Sequence, residues 1–166
     1  MKLILNKKYN PLFNSDARYF IITGGRGSGK SFAVTVFLTL LTMTKGIRIL
    51  FTRFTMTSAH LSIIPEFLEK IGLLGFDEVF SINKAEVVNT SNQSDILFRG
   101  IRTSAGNQTA SLKSLQGIST WVLDEAEELV DENIFDTIDL SIREKNIHNR
   151  VVLILNPVTK EHWIYK

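Results

Sequence analysis

Short apolar runs alternate along this chain with longer stretches whose apolar residues recur at helical spacing. The runs are rich in β-branched residues, which is typical of strands buried on both faces of a parallel sheet. They lie at residues 19–23, 47–52, 118–123 and 151–155. The helical spacing predicts helices over 31–44, over 62–72 and after Asp131. This alternation predicts an α/β fold with a mainly parallel central sheet flanked by helices.

Polar segments separate these elements and predict the connections. Residues 86–90 and 95–99 flank a Ser-Asn-Gln-Ser stretch and predict a hairpin. Gly46 and Gly72 are expected to end the first two helices, and the polar segment 103–109 is expected to be a loop. Neither an internal repeat nor a linker divides the sequence, so residues 1–166 are predicted to form a single domain.

The composition excludes several classes of function but does not identify the function. With 44% hydrophobic and 22% charged residues, the chain can close an apolar core. It contains no cysteine, which excludes disulfides, a thiol nucleophile and thiolate metal sites. A formal net charge of +2 is too small to indicate nucleic acid by itself. The sequence shows neither a targeting segment nor a stretch long enough for a bilayer, so we expect a cytoplasm-like compartment and no membrane partner.

One segment carries a recognisable phosphate-binding pattern, G-x-x-x-x-G-K-[ST], between a predicted strand and a predicted helix. It consists of Gly24, Gly25, Arg26, Gly27, Ser28, Gly29, Lys30 and Ser31. The glycines let consecutive backbone N–H groups face a polyphosphate at a helix N-terminus. Lys30 is expected to reach the β- and γ-phosphates, and the Ser31 hydroxyl to bind Mg²⁺. The pattern predicts a nucleotide site.

Two acids follow the apolar strand 118–123, at the edge where α/β sheets place their ligands. If this strand lies beside the phosphate-loop strand, Asp124 can hold the magnesium shell and Glu125 can accept a proton from the attacking water. The alternative is that these acids begin a helix, where they complement its dipole. Glu127 and Glu128 are assigned to that solvated role.

Further residues have a functional and a structural interpretation from the sequence alone. Asn156 follows the last strand and can sense the γ-phosphate or position water, or begin an ordinary turn. Arg26 can neutralise charge in the transition state or face solvent. Tyr9 can stack on adenine or pack in the core. Candidates for contacting DNA or a neighbour's nucleotide, each also a possible surface charge, are Arg53, Arg99, Arg102, Lys113, Arg143 and Arg150.

Taken together, these residues resemble the ATPase domain of the large terminase subunit, the DNA-packaging motor of tailed bacteriophages. The resemblance spans nearly the whole chain. It includes the arginine-bearing loop GGRGSGKS, Ser114-x-x-Gly117 ahead of WVLDEAEEL, and the LILNP segment that contains Asn156 and Pro157. The phosphate loop and acidic pair are shared by many motor ATPases, and their combination with the other residues favours terminase.

The resemblance implies a RecA-like P-loop fold with ATP and Mg²⁺ as cofactors. It places Lys30 and Ser31 on nucleotide and metal, Asp124 on the metal and Glu125 as the catalytic acid. It assigns Arg26 to the family's loop arginine and Asn156 to the segment that couples hydrolysis to movement. A basic residue from a neighbouring subunit is also implied, and Arg102, Lys113 and Arg143 remain open for that role.

The implied partners are those of a packaging motor. They are double-stranded DNA, the portal protein, the small terminase subunit and further copies of the chain in a ring, at the procapsid portal vertex in the host cytoplasm. Large terminases also carry an RNase H-type nuclease domain, but no acidic nuclease cluster can be assigned here, so we expect no DNA cutting by these residues. The alternatives are a helicase-like ATPase, a P-loop kinase, and a nucleotide-gated assembly module without turnover.

Overall fold

The computed structural model describes residues 3–56, 59–103 and 106–166. Its strands are β1 (Tyr19–Thr23), β2 (Arg48–Thr55), β3 (Phe80–Ile82), β4 (Glu86–Asn89), β5 (Asp95–Thr103), β6 (Gly106–Asn107), β7 (Thr120–Asp124) and β8 (Arg150–Leu155). Its helices are α1 (Asn10–Asn14), α2 (Lys30–Leu41), α3 (Ala59–Leu74), α4 (Thr109–Lys113) and α5 (Glu132–Asp139). Short 3-10 turns lie at Lys7–Tyr9, Ala126–Glu128 and Trp163–Tyr165.

The strands form one mixed sheet in the order β1-β8-β7-β2-β5-β4-β3, and β6 pairs with β5. From β1 to β5 every neighbouring pair is parallel, whereas β4, β3 and β6 add antiparallel pairs. The predicted hairpin is present as β4 and β5. The α/β fold with a mainly parallel sheet is therefore confirmed. All the parallel strands end at one edge, where their carboxyl ends can share a site.

Apolar layers cover both faces of this sheet. On β7, all five residues are buried, and Val122 faces one layer while Trp121 and Leu123 face the other. The first layer joins the sheet to α2 and α3, and the second joins it to α4, α5 and the chain's last turn. Burial on both faces explains why the central strands β7 and β8 are mostly apolar in sequence.

Two helix ends differ from the expected ones. Helix α2 ends at Leu41, before the predicted end at residue 44, because hairpin side chains take over the next carbonyls. Asn89 and Asn92 both donate side-chain N–H groups to the Thr42 carbonyl, at 3.1 and 3.0 Å. Helix α3 continues through Gly72 to Leu74. It is Gly75, with a φ of +73°, that adopts the left-handed conformation typical of a helix C-terminus.

The segment 103–109 is more regular than the predicted loop. Gly106 and Asn107 form β6, which pairs with the end of β5, and α4 begins at Thr109. Positions 104 and 105 lie outside the described residues. Among the helices that are described, none is both long and apolar enough to cross a bilayer.

Candidate nucleotide-binding site

The phosphate loop joins the end of β1 to the start of α2 in a tight curl. Gly27 and Gly29 have φ values of +73° and +83°, a region that suits glycine because it lacks a Cβ. The Ser28 N–H donates to the Gly25 carbonyl at 3.3 Å. Helix α2 starts directly at Lys30, so its first N–H groups lie next to the curl.

Tyr9 packs against the phosphate loop and forms a hydrogen bond to it. Its hydroxyl donates to the Ser28 carbonyl at 2.8 Å, and its side chain is 6% exposed. The ring lies close to Gly29, 3.9 Å from where a Cβ would be. Tyr9 is not among the described residues that line the cleft, and its stacking on adenine stays a prediction. Its buried hydroxyl holds the loop.

Lys30 is buried and folded inward over its own loop. Its ammonium donates to the Gly24 carbonyl and, at 3.0 Å, to the Gly25 carbonyl. It also donates to Asn156 Oδ1 at 3.3 Å, which links the loop to the end of β8. The ammonium therefore sits where the phosphate loop, the last strand and the cleft meet.

The acidic pair ends β7, at the same sheet edge as the phosphate loop. Its strand is not the direct neighbour of the phosphate-loop strand, because β8 pairs with both β1 and β7 and separates them. Asp124 is 5% exposed, and Glu125 has a left-handed backbone with a φ of +54°. That conformation is unusual for a residue with a side chain, and it turns the chain sharply out of the strand.

A cleft of about 370 Å³ brings these groups together. Its walls are formed by Arg26, Gly27, Ser28, Gly29, Lys30, Ser31, Phe32, Arg53, Glu66, Asp124, Glu125, Glu127, Ile154, Leu155 and Asn156. Arg26 is exposed at its rim. The phosphate loop and the two acids, separated by more than ninety positions in the sequence, thus face one cavity. The geometric convergence that the sequence predicts is present.

Arg53 is a residue of the cleft that the sequence placed among possible DNA contacts. It lies on β2 directly opposite Asp124 in the β2–β7 register. Its Nη2 and Nε lie 2.7 and 2.8 Å from Asp124 Oδ2, and its Nε lies 3.7 Å from Glu125 Oε2. A guanidinium held by two carboxylates in this way belongs to the cleft. Only the strand register could have identified it.

The pKa of Glu125 is raised above its ordinary value. Burial is the largest cause, because it disfavours the charged carboxylate, and Asp124, Glu128 and Glu127 add repulsion. The positive charge of Arg53 acts in the opposite direction and lowers this pKa. Raising the pKa towards neutrality makes the carboxylate a better proton acceptor.

The sequence predicts that Glu127 is solvated, and this prediction is wrong. It lines the cleft, and its Oε1 accepts a hydrogen bond of 2.6 Å from Asn156 Nδ2. Its Oε2 is buried with no partner in the part of the chain that the structure describes. Glu128, by contrast, is exposed as expected. The turn at Ala126–Glu128 explains the difference, because it directs one glutamate inward and the next outward.

Three basic residues are candidates for reaching the nucleotide of a neighbouring subunit, and they lie at opposite ends of the parallel strands. Arg102 is near the carboxyl end of β5, the edge that carries the cleft. Lys113 and Arg143 line a separate cleft with Gly117, just ahead of the amino end of β7. Those two side chains are therefore at the opposite edge from the phosphate loop of their own chain. The choice among the three stays open.

Ser31 and Asp124 offer the oxygen donors that Mg²⁺ prefers. Arg53 binds Oδ2 of Asp124, which leaves the second carboxylate oxygen to meet a cation or its water. Among the described residues, no group of three histidine, cysteine or acidic side chains could hold a metal alone. With two oxygen donors from the protein, phosphate and water would fill most positions around such an ion.

The fold and the cleft together define a P-loop nucleotide-binding protein. A family model described as phage terminase large subunit matches residues 16–166, and the chain belongs to that family. A search of curated proteins gave no match.

Solved structures show the same fold at low sequence identity. The large terminase of a thermophilic bacteriophage superposes with a TM-score of 0.77 at 11% identity, covering 98% of this chain and 42% of that one. The N-terminal domain of the phi29 DNA packaging ATPase gives 0.67 at 15%, covering 97% and 83%. The ATPase domain of the Thermus phage P74-26 large terminase gives 0.67 at 17%, covering 98% and 68%. The chain spans less than half the length of the first of these.

Proposed function

We propose that this chain is the ATP-hydrolysing motor domain of a phage DNA-packaging terminase. The observation that carries the proposal is the convergence of the phosphate loop, Lys30, Asp124 and Glu125 around one cleft. Family membership supports it, as do complexes of the thermophilic phage terminase with ADP and with ATP-γ-S. The mainly parallel sheet provides a rigid edge that holds these groups in place.

Each group has a distinct chemical task. The loop N–H groups and the start of α2 bind the polyphosphate, and Lys30 exchanges its contacts with loop carbonyls for the β- and γ-phosphates. Glu125 accepts a proton from the attacking water. Arg26, at the rim, offsets negative charge that develops in the transition state. Asp124 and Ser31 would hold Mg²⁺, which neutralises phosphate charge when bound.

Hydrolysis in this proposal drives double-stranded viral DNA into the procapsid. The phi29 structures include a viral genome packaging motor assembly, which supports a working form with several subunits. We infer a ring of copies at the portal vertex in the host cytoplasm, acting with the portal protein and the small terminase subunit. Contact with DNA is expected through backbone phosphates and is therefore largely independent of sequence. We assign no DNA cutting to these residues.

Phosphate release from Mg·ATP tests the enzymatic part. Wild type should release phosphate, and chelating the divalent cation should stop it. Glu125→Gln should still bind ATP but lose about 10²–10⁴-fold in turnover, because a general base contributes that much. Lys30→Ala should lose ATP affinity. Glu128→Gln is the matched control, because the exposed neighbour is outside the cleft.

Three assays separate the alternatives. Binding of ATP without release by both wild type and Glu125→Gln would indicate a nucleotide-gated module rather than an enzyme. Strand displacement on a forked duplex would favour a helicase. Uptake of duplex DNA by portal-bearing procapsids, lost in Glu125→Gln, would support the motor.

A further inference from the structure

Asn156 lies between a cation and an anion at the carboxyl end of β8. Lys30 donates to its Oδ1 at 3.3 Å, and its Nδ2 donates to Glu127 Oε1 at 2.6 Å. An ammonium can only donate and a carboxylate can only accept, so these neighbours determine which end of the amide faces each of them. We propose that Glu127 is a positioning residue that holds the Asn156 amide with its carbonyl oxygen towards the nucleotide.

The backbone around Glu127 makes it suitable for this task. The Glu128 N–H donates to the Glu125 carbonyl at 2.9 Å, and the Leu129 N–H donates to the Ala126 carbonyl at 3.2 Å. Ala126 and Leu129 are fully buried on either side. Glu127 is therefore anchored by the turn that directly follows the proposed catalytic base. A buried carboxylate is costly unless it is hydrogen-bonded, and Asn156 supplies the donor for its Oε1.

This orientation distinguishes two roles for Asn156. Binding the γ-phosphate requires an N–H donor, because phosphate oxygens only accept hydrogen bonds. Glu127 holds one of the two Nδ2 N–H groups of Asn156, and the carbonyl oxygen, which is the end that faces Lys30, would repel a phosphate. Before the nucleotide binds, the Asn156 carbonyl oxygen accepts a hydrogen bond from the Lys30 ammonium. After Lys30 has turned to the phosphates, the same oxygen can accept a hydrogen bond from a water O–H. This step rests on the proposed function, and it assigns Asn156 to orienting the water that Glu125 deprotonates.

Turnover of ATP by four variants tests the assignment. Glu127→Ala should lower kcat on the order of tenfold with KM little changed, since one orienting hydrogen bond is lost. Glu127→Gln should retain most of the activity, because its amide oxygen still accepts from Asn156. Asn156→Asp places two carboxylates against each other and should lower kcat further. Combining Asn156→Asp with Glu127→Gln should recover on the order of tenfold, because the glutamine donates to the aspartate.

Two results would overturn the inference. If the combined variant is no more active than Asn156→Asp alone, Asn156 is needed as a donor and does not act as an acceptor. If Glu127→Ala and the exposed control Glu128→Ala lower kcat equally, position 127 has no specific role. In both cases ATP binding of each variant is measured first, so that loss of turnover is not confused with loss of the nucleotide site.

A second measurement needs no nucleotide and separates this inference from the proposed function. In wild type, one side-chain N–H proton of Asn156 bonds to a carboxylate, so the two amide proton resonances should be widely separated in NMR spectra. The separation should become smaller in Glu127→Ala and be retained in Glu127→Gln and Glu128→Ala. If wild type releases no phosphate but shows this pattern, the proposed function fails while the positioning by Glu127 stands. Equal spectra in wild type and Glu127→Ala would refute the positioning.

Discussion

At the scale of single residues, a central feature of the cleft is the Arg53 guanidinium, which lies among acidic side chains. Arg53 binds Asp124 through two nitrogens and approaches Glu125, while Glu66 completes the cleft wall beside it. Arginine suits this position because its planar guanidinium has several donors in fixed directions. The guanidinium offsets the repulsion between two adjacent carboxylates at the end of one strand.

We predict that removing the charge of Arg53 raises the pKa of Glu125 further. Burial already raises that pKa, and Arg53 is the group that lowers it, so Arg53→Met leaves burial and the neighbouring acids unopposed. NMR titration of the Glu125 carboxyl, without nucleotide or metal, should show its midpoint at higher pH than in wild type. Arg53→Lys retains a positive charge and should lie nearer wild type. A midpoint that moves to lower pH in Arg53→Met would contradict the electrostatic explanation.

The site residues divide into those visible in the sequence and those that are not. The phosphate loop was found because its residue types recur at fixed spacing, and Asp124 and Glu125 because they follow an apolar strand. Arg53 joins them only through the pairing of β2 with β7, which local pattern does not specify. Glu127 was misassigned for a similar reason, since its burial depends on a turn and on Asn156 from a strand far along the chain.

At the scale of secondary-structure elements, the sequence predicts the parallel strands well, but it does not predict β3 or β6, and it predicts the helix ends less well. A strand buried on both faces needs apolar residues along most of its length, so the local sequence shows where it begins and ends. Helix ends depend on which groups satisfy the last carbonyls. For α2 those groups are Asn89 and Asn92, which approach from the β4–β5 hairpin. The predicted start after Asp131 succeeded because that side chain caps α5 itself.

This cap gives a stability prediction. Asp131 accepts a hydrogen bond of 3.0 Å from the Asn133 N–H at the start of α5. We expect Asp131→Ala to reduce the free energy of unfolding by about 1 kcal/mol, since a helix N–H loses its acceptor. Asp136→Ala, on an exposed position of the same helix, removes an equal charge without removing the cap. Urea denaturation should show a smaller change for Asp136→Ala, and equal losses in both variants would argue against the cap.

At the scale of the whole molecule, the site depends on two apolar layers that hold the sheet between them. Phe67 of α3 is fully buried and meets Phe98 of β5 and Phe51 of β2, with ring centroids 5.3 and 5.8 Å away. Edge-to-face contacts of this kind add to the burial of apolar area. Because β2 also carries Arg53, this packing connects α3 to the strand that supports the acidic pair.

We therefore predict that substitutions at two adjacent positions of α3 reduce the free energy of unfolding by very different amounts. Phe67→Ala should reduce the free energy of unfolding by about 3–5 kcal/mol, because a cavity forms between helix and sheet. Leu68→Ala should cost far less, since Leu68 is 41% exposed. Chemical denaturation of both variants measures the difference. Similar losses would mean that α3 is not held by this aromatic contact, and the support it gives to β2 and the cleft would have to come from elsewhere in the sheet.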